Sequence, residues 1–152
     1  MAVVFDCSVT LAWFLNDERT AFTDSAFDLL ETAECWVPLL WRLEFPNALL
    51  FAERKKRLGR DQRLEILDNA AQLFLRTDAV LPDIRSLSAL AERRALTVYD
   101  ASYLELAVRL GFALITLDRD LADAASAEGV AVHFPGRSSA AQVRKRYASH
   151  AA

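Results

Sequence analysis

At 152 residues, 53% of them hydrophobic, the chain has the length and apolar content of one compact domain, with no room for a second of ordinary size. Its formal net charge of −3 excludes nucleic-acid binding driven by overall positive charge. No segment reaches the ~18 uninterrupted apolar residues of a membrane span, and the opening MAVVFD lacks the basic region and roughly 7–15-residue apolar run of a leader, so a cytoplasmic protein with no membrane partner is expected.

The first β-run, Val3 to Phe5, predicts a strand that ends at Asp6. Helical sequence follows from Ser8 to Leu15 and from Thr23 to Thr32, then a second strand from Cys35 to Val37, stopped by Pro38. A long helix is predicted from Leu39 to Arg57 with Gly59 as its stop, and an amphipathic one from Asp61 to Leu75, with Leu64, Leu67, Ala71 and Phe74 at helical spacing. Val80 and Leu81 read as a short extended piece before a helix from Ile84 to Arg94. A helix from Thr97 to Leu110, closed by Gly111, a strand from Ala113 to Thr116, a helix from Asp118 to Glu128 and a strand from Val130 to Val132 complete the order.

This alternation predicts an α/β fold: a three-layer α/β/α sandwich around a central, mainly parallel sheet. Residues 1–136 form the expected domain, and 137–152 a basic, mobile tail. Cys7 and Cys35 lie in apolar strand-like surroundings and are expected to be small buried hydrophobes. No C-x-x-C spacing suggests zinc. Basic residues gather at Arg54, Lys55, Lys56 and Arg57, at Arg93 and Arg94, and in the tail at Arg144, Lys145 and Arg146. The first of these groups suits a solvated helix end complementing the dipole as well as a nucleic-acid contact.

In open α/β sheets the working site lies beyond the carboxyl ends of the strands, where Asp6 and Asp118 both fall. Each has a structural reading as a helix cap, and Thr97 with Asp100 matches a capping box. Glu44 differs, for it lies within the nearly unbroken apolar stretch LLWRLEFPNALLFA, where an unpartnered carboxylate costs several kcal/mol. None of these acids has a Lys or Arg three or four positions away, whereas Glu105 has Arg109 at i+4 as an ordinary surface pair. Carboxylates converging without counter-charges raise one another's pKa values, and a hard divalent cation resolves the conflict with the charges intact. Oxygen ligands completed by water suit Mg²⁺ or Mn²⁺, which can activate water and polarise a phosphoryl oxygen. Ser8, two residues past Asp6, and Asn47, at i+3 from Glu44, are placed to steady those acids or a water beside them.

On these stretches the chain resembles the PIN-domain ribonucleases, specifically the VapC-type toxins of bacterial toxin–antitoxin pairs. The resemblance covers about residues 2–135 and is carried by VVFDCSV with Asp6, EFPNALL with Glu44 and Asn47, LTVYDASYLELA with Asp100 and LITLDRDL with Asp118. It implies a parallel α/β/α sandwich in which Asp6, Glu44, Asp100 and Asp118 hold Mg²⁺ or Mn²⁺. RNA phosphodiesters are then hydrolysed by in-line attack of water, leaving a 5′-phosphate. Asp120 is expected to assist and Thr116 to brace the turn at Asp118, with Arg54, Lys55 and Lys56 meeting RNA. Pro46, between Glu44 and Asn47, departs from the pattern and is expected to alter the aim of Glu44.

The helix carrying Glu44 is apolar nearly all round, with Trp41, Phe45, Ala48 and Ala52 on one face and Leu39, Leu43 and Leu50 on another. Surface left over from such a helix marks a partner, and the resemblance supplies two, a homodimer mate and a small antitoxin. Two other readings stay open. Asp6 could be the nucleophile of a haloacid-dehalogenase-like phosphatase, although Ser8 stands where those enzymes carry a second Asp. The chain could also be a non-catalytic interaction module that keeps the PIN fold.

Overall fold

Val3, Val4 and Phe5 are all fully buried, so the first strand is covered on both faces, as the centre of a parallel sheet must be. The computed structural model, which describes residues 1–137, shows how. The strands are β1 (Ala2–Phe5), β2 (Glu34–Pro38), β3 (Leu75–Asp78), β4 (Ala113–Ile115) and β5 (Val132–His133). The helices are α1 (Cys7–Ala12), α2 (Ala21–Thr32), α3 (Trp41–Arg54), α4 (Arg60–Ala70), α5 (Ile84–Arg94), α6 (Val98–Leu110) and α7 (Arg119–Ala127). The five strands form one sheet of order β3-β2-β1-β4-β5, parallel at every pairing. The helices flank it: α6 packs across β1, β2 and β4, α7 against β4 and β5, and α2 on β2. The expected α/β/α sandwich is therefore the fold that forms.

The order of the strands places the site. The chain builds outward from β1 through β2 to β3, then crosses back to start β4 on the other flank of β1. The loops after β1 and β4 consequently part company, which opens a crevice at their carboxyl ends. Asp6 follows β1 and Asp118 follows β4.

Aromatic packing fixes the helices around that crevice. Trp41, at the start of α3, donates from Nε1 to Thr10 Oγ1 at 2.9 Å and stacks on Phe45 with centroids 4.9 Å apart. Phe45 meets Phe14 edge-on at 5.9 Å. These contacts bind α3 to the α1 region and so hold Glu44, one residue before Phe45, close to the end of β1. Trp13 lies edge-on to Phe5 at 5.1 Å and donates from Nε1 to the Thr23 carbonyl at 2.9 Å, which ties α2 to the same core.

Three expectations need correction. The helix predicted to run to Leu75 ends at Ala70, and Leu75–Asp78 is strand β3, paired with β2 from Cys35↔Leu75 to Pro38↔Asp78. An edge strand reading LRTD hides from a hydrophobic-pattern search because only part of it faces the core; Arg76 pairs with Glu34 and lies over the Trp36 ring. Val80 and Leu81, expected to be extended, belong to no strand and are exposed. Gly59 does not stop α3; Lys56 takes the left-handed conformation there, with φ 59°, and Gly59 instead caps the start of α4, where its N–H donates to Gln62.

Gly111 does end α6 as predicted, with φ 69°, where glycine avoids the Cβ penalty. Pro46 lies within α3 without ending it, since the helix continues to Arg54. The carbonyl its missing N–H would have met belongs to Arg42, an exposed residue whose backbone can turn to water. Of the basic tail expected over 137–152, Arg137 is held, bridged to Phe134 and paired with Asp123, and residues 138–152 lie outside the described residues.

Candidate active site

Asp6 occupies the N-cap position of α1 but makes no side-chain cap hydrogen bond. Its carboxylate is instead held by two hydroxyls: Ser8 Oγ donates to Oδ2 at 2.6 Å and Thr116 Oγ1 donates to the same oxygen at 2.9 Å. Both hydroxyls also accept from the backbone, Ser8 across the crevice from the Leu117 N–H at 3.2 Å and Thr116 within its own turn from the Asp118 N–H at 2.9 Å. The end of β1 and the turn after β4 are thereby laced together around one buried carboxylate. Oδ1 of Asp6 takes no hydrogen bond among the described residues.

The other acids come from three further elements. Asp118 is the N-cap of α7 and accepts from the Leu121 N–H through Oδ1 at 3.1 Å, so its capping role is real and uses one oxygen. Asp100 lies in the first turn of α6, where its N–H donates to Thr97 Oγ1 at 3.1 Å. No reciprocal bond runs from its carboxylate to the Thr97 N–H among the described residues, so the expected capping box is half made. Glu44, in the first turn of α3, is partly buried, and its Oε1 is enclosed with no hydrogen-bond partner among the described residues.

Electrostatics join the four. Burial is the first cause that pushes the Asp6 carboxyl above its ordinary range; the Ser8 and Thr116 hydroxyls pull it back, and the charges of Asp100 and Asp118 push it up again. Glu44 is likewise raised by burial, eased by the nearby Tyr103 hydroxyl, and raised by Asp6 and Asp100. Asp100 is raised by burial and by Asp118, with Thr97 opposing and Asp120 adding a further push. That influence is the contribution of Asp120 to the cluster, since the residue itself is exposed. Among the described residues no Lys or Arg pairs with any of the four. Arg109 serves Glu105 at 2.7 Å and also Asp78, while Arg93 and Arg94 share Glu128.

Such a site suits a hard divalent ion. The donors are carboxylate oxygens without cationic partners among the described residues, and the enclosed Oε1 of Glu44 has no hydrogen-bond partner there. No group of three or more His, Cys, Asp or Glu among the described residues is close enough to enclose an ion unaided.

Of the residues singled out in the sequence, Asp6, Ser8, Thr116 and Asp118 form one hydrogen-bonded unit, with Glu44 and Asp100 coupled to it by charge. Asn47 is exposed and makes no hydrogen bond to the acids among the described residues. Arg54, Lys55 and Lys56 are exposed at the end of α3, and Lys55 lies 4.6 Å over the Phe51 ring. Sequence reasoning missed Tyr103, which abuts Glu44. Its signal was its i+3 spacing from Asp100, which puts both on one helical face.

A shallow apolar groove adjoins the site, lined in part by Leu39, Val80, Leu81, Val98 and Tyr99. Leu39, Leu43 and Phe51 on or beside α3 are likewise exposed, so this helix does keep the uncovered apolar face its sequence suggested. None of the described helices is long and apolar enough to cross a membrane.

The family model for the PIN domain matches residues 3–127. The chain is 30% identical over 125 residues to Ribonuclease VapC3 of Pyrobaculum aerophilum, a match covering 81% of this chain and 94% of that protein. The crystal structure of PAE2754 from Pyrobaculum aerophilum is similar with a TM-score of 0.59 at 21% identity, covering 87% of this chain and 89% of the other. VapBC2 from Rickettsia felis, bound to a DNA fragment from its promoter, gives 0.61 at 11% identity, with 88% and 98% covered. These two likenesses speak to the fold.

Proposed function

The chain belongs to the PIN-domain family, and from that premise we propose that it is a Mg²⁺- or Mn²⁺-dependent endoribonuclease acting as the toxin of a VapBC-type toxin–antitoxin pair. The observation that carries the proposal is Asp6: a buried carboxylate at a helix start that declines to cap it, has no basic partner among the described residues, and feels two other acids across the crevice. The similarity to Ribonuclease VapC3 supports the substrate class.

Asp6, Glu44, Asp100 and Asp118 would hold the ion. When bound, it supplies polarisation of a phosphoryl oxygen and acidifies water, the chemistry that phosphodiester hydrolysis requires. The protein's own contribution is positional. Ser8 and Thr116 grip one oxygen of Asp6 and leave the other to the site, and Thr116 also holds the turn that carries Asp118. In-line attack of water on phosphorus would break the P–O3′ bond, leaving a 5′-phosphate on one fragment and, after the leaving oxygen takes a proton, a 3′-hydroxyl on the other.

Arg54, Lys55 and Lys56 carry the substrate backbone in this reading, as exposed cations that make no salt bridge among the described residues. Replacing all three with Gln should weaken RNA binding and reduce the slope of log affinity against log salt, by about 0.7 for each single-strand phosphate that is no longer neutralised. Fluorescence anisotropy across a salt series measures this, and an unchanged slope returns the cluster to solvated surface. The exposed groove beside Asp100 suits the two partners of the toxin role, a second copy of the chain and the antitoxin segment that would block the acids.

Incubating the purified chain with total RNA tests the proposal. Discrete fragments bearing 5′-phosphates should appear with Mn²⁺ and vanish with a chelator; intact RNA in Mn²⁺ ends the reading.

A further inference from the structure

Tyr103 is fully buried in α6, three residues beyond Asp100, and its hydroxyl makes no hydrogen bond among the described residues. Oε1 of Glu44 is orphaned in the same way. A single unsatisfied buried polar atom costs about 1–3 kcal/mol, so two of them side by side call for a physical reason. They are complementary: an ionised carboxylate only accepts, and a phenol donates. They are also close enough to perturb one another. Burial is the largest influence on each, but the Tyr103 hydroxyl eases the Glu44 carboxyl downward, and Glu44 raises the phenol.

Repulsion bears on how Glu44 is held. Asp6 and Asp100 both act on it, and no Lys or Arg among the described residues offsets them. A cation among these acids removes that repulsion and lets the carboxylate settle. Asp6 already has Ser8 and Thr116 as donors, and Asp118 has the Leu121 N–H. Glu44 Oε1 has no donor in place among the described residues, and the Tyr103 hydroxyl is the neighbouring donor that acts on the carboxyl.

We propose that Tyr103 is a positioning residue for Glu44, its hydroxyl donating to Oε1 once a divalent ion is bound, so that the other oxygen is presented to the ion. The inference rests on the reading of Glu44 as a metal-holding residue. Outer partners that fix a metal ligand in this way are typically worth about 10–100-fold in metal affinity.

Calorimetric titration with Mn²⁺, without RNA, separates the possibilities. Tyr103→Phe keeps the ring in the core and removes only the unpaired hydroxyl, and far-UV circular dichroism verifies its fold. It should bind Mn²⁺ about 10–100-fold more weakly than the parent. Glu44→Gln should also weaken binding, and adding Tyr103→Phe to it should cost nothing further, because the partner is gone. Unchanged Mn²⁺ affinity in Tyr103→Phe, with Glu44→Gln clearly weakened, overturns the inference and leaves the nuclease reading standing. A full, additive loss in the double variant overturns it as well, for the hydroxyl would then act elsewhere. If Glu44→Gln binds Mn²⁺ like the parent, the failure lies in the metal-holding role of Glu44 itself.

Discussion

Asp6→Asn is expected to reduce RNA cleavage in saturating Mn²⁺ by on the order of 10³-fold or more, taking several kcal/mol as the worth of a correctly held ion and 1.36 kcal/mol per tenfold in rate. The substitution is nearly isosteric, and Ser8 and Thr116 can still donate to the remaining carbonyl oxygen, so the two strand ends stay laced together. What disappears is charge. In the metal-free protein that loss relieves the burial of a carboxylate and its repulsion from Asp100 and Asp118, so the melting temperature should hold or rise. Activity falling while stability holds identifies a functional acid; a structural cap would show the reverse. Asp100→Asn should behave alike for the same reason. Measured kcat/KM and thermal melts decide, and Asp6→Asn with parental activity removes the site assignment.

That opposition was partly legible in the sequence. The absence of Lys or Arg at helical spacing from Asp6, Glu44, Asp100 and Asp118 is a one-dimensional fact, and the structure extends it to three dimensions among the described residues. The capping readings could be resolved only with coordinates: Asp118 caps, Asp100 makes half a box, and Asp6 does not cap at all. The double grip of Ser8 and Thr116 on one oxygen of Asp6 joins residues 110 positions apart in the case of Thr116, which no local pattern encodes. The same grip bears on the phosphatase alternative. Ser8, standing where that family places an acid, spends its hydroxyl on holding Asp6 and not on the chemistry of a leaving group.

The misread elements share a cause. Hydrophobic periodicity reports burial, so it finds β1, covered on both faces, and loses β3, an edge strand with three polar residues in four. Gly59 misled because a glycine after a basic run fits either the end of one helix or the start of the next; the choice is made by Lys56 accepting a left-handed conformation that sequence statistics disfavour. Tyr103 escaped notice because buried aromatic residues at helical spacing normally mean core. Its ring does belong to the core, and only the orphaned hydroxyl separates it from Phe45 or Leu104.

Divalent ions should stabilise the fold, and the gain should depend on pH in a direction the site dictates. Asp6, Glu44 and Asp100 all have carboxyl pKa values raised on folding, chiefly by burial. A group whose folded pKa lies above its unfolded value binds its proton more tightly in the native state. Its contribution is therefore fully present below the unfolded value, 3.8 for Asp and 4.5 for Glu, and is lost as pH rises through the higher folded value. The metal-free protein thus loses this contribution as pH rises above the ordinary carboxylate range, and the same rise makes the acids able to take an ion. At 100 times the dissociation constant, Mn²⁺ should add about 2.7 kcal/mol, or about 5–10 °C in melting temperature for a chain of this size. The gain should be largest near neutral pH and shrink on acidification as protons displace the ion. Differential scanning fluorimetry with and without Mn²⁺ across a pH series measures it, with Asp6→Asn as the control that reduces the pH dependence of both curves. A Mn²⁺ shift that is absent, or the same at every pH, would mean that these carboxylates do not share a cation.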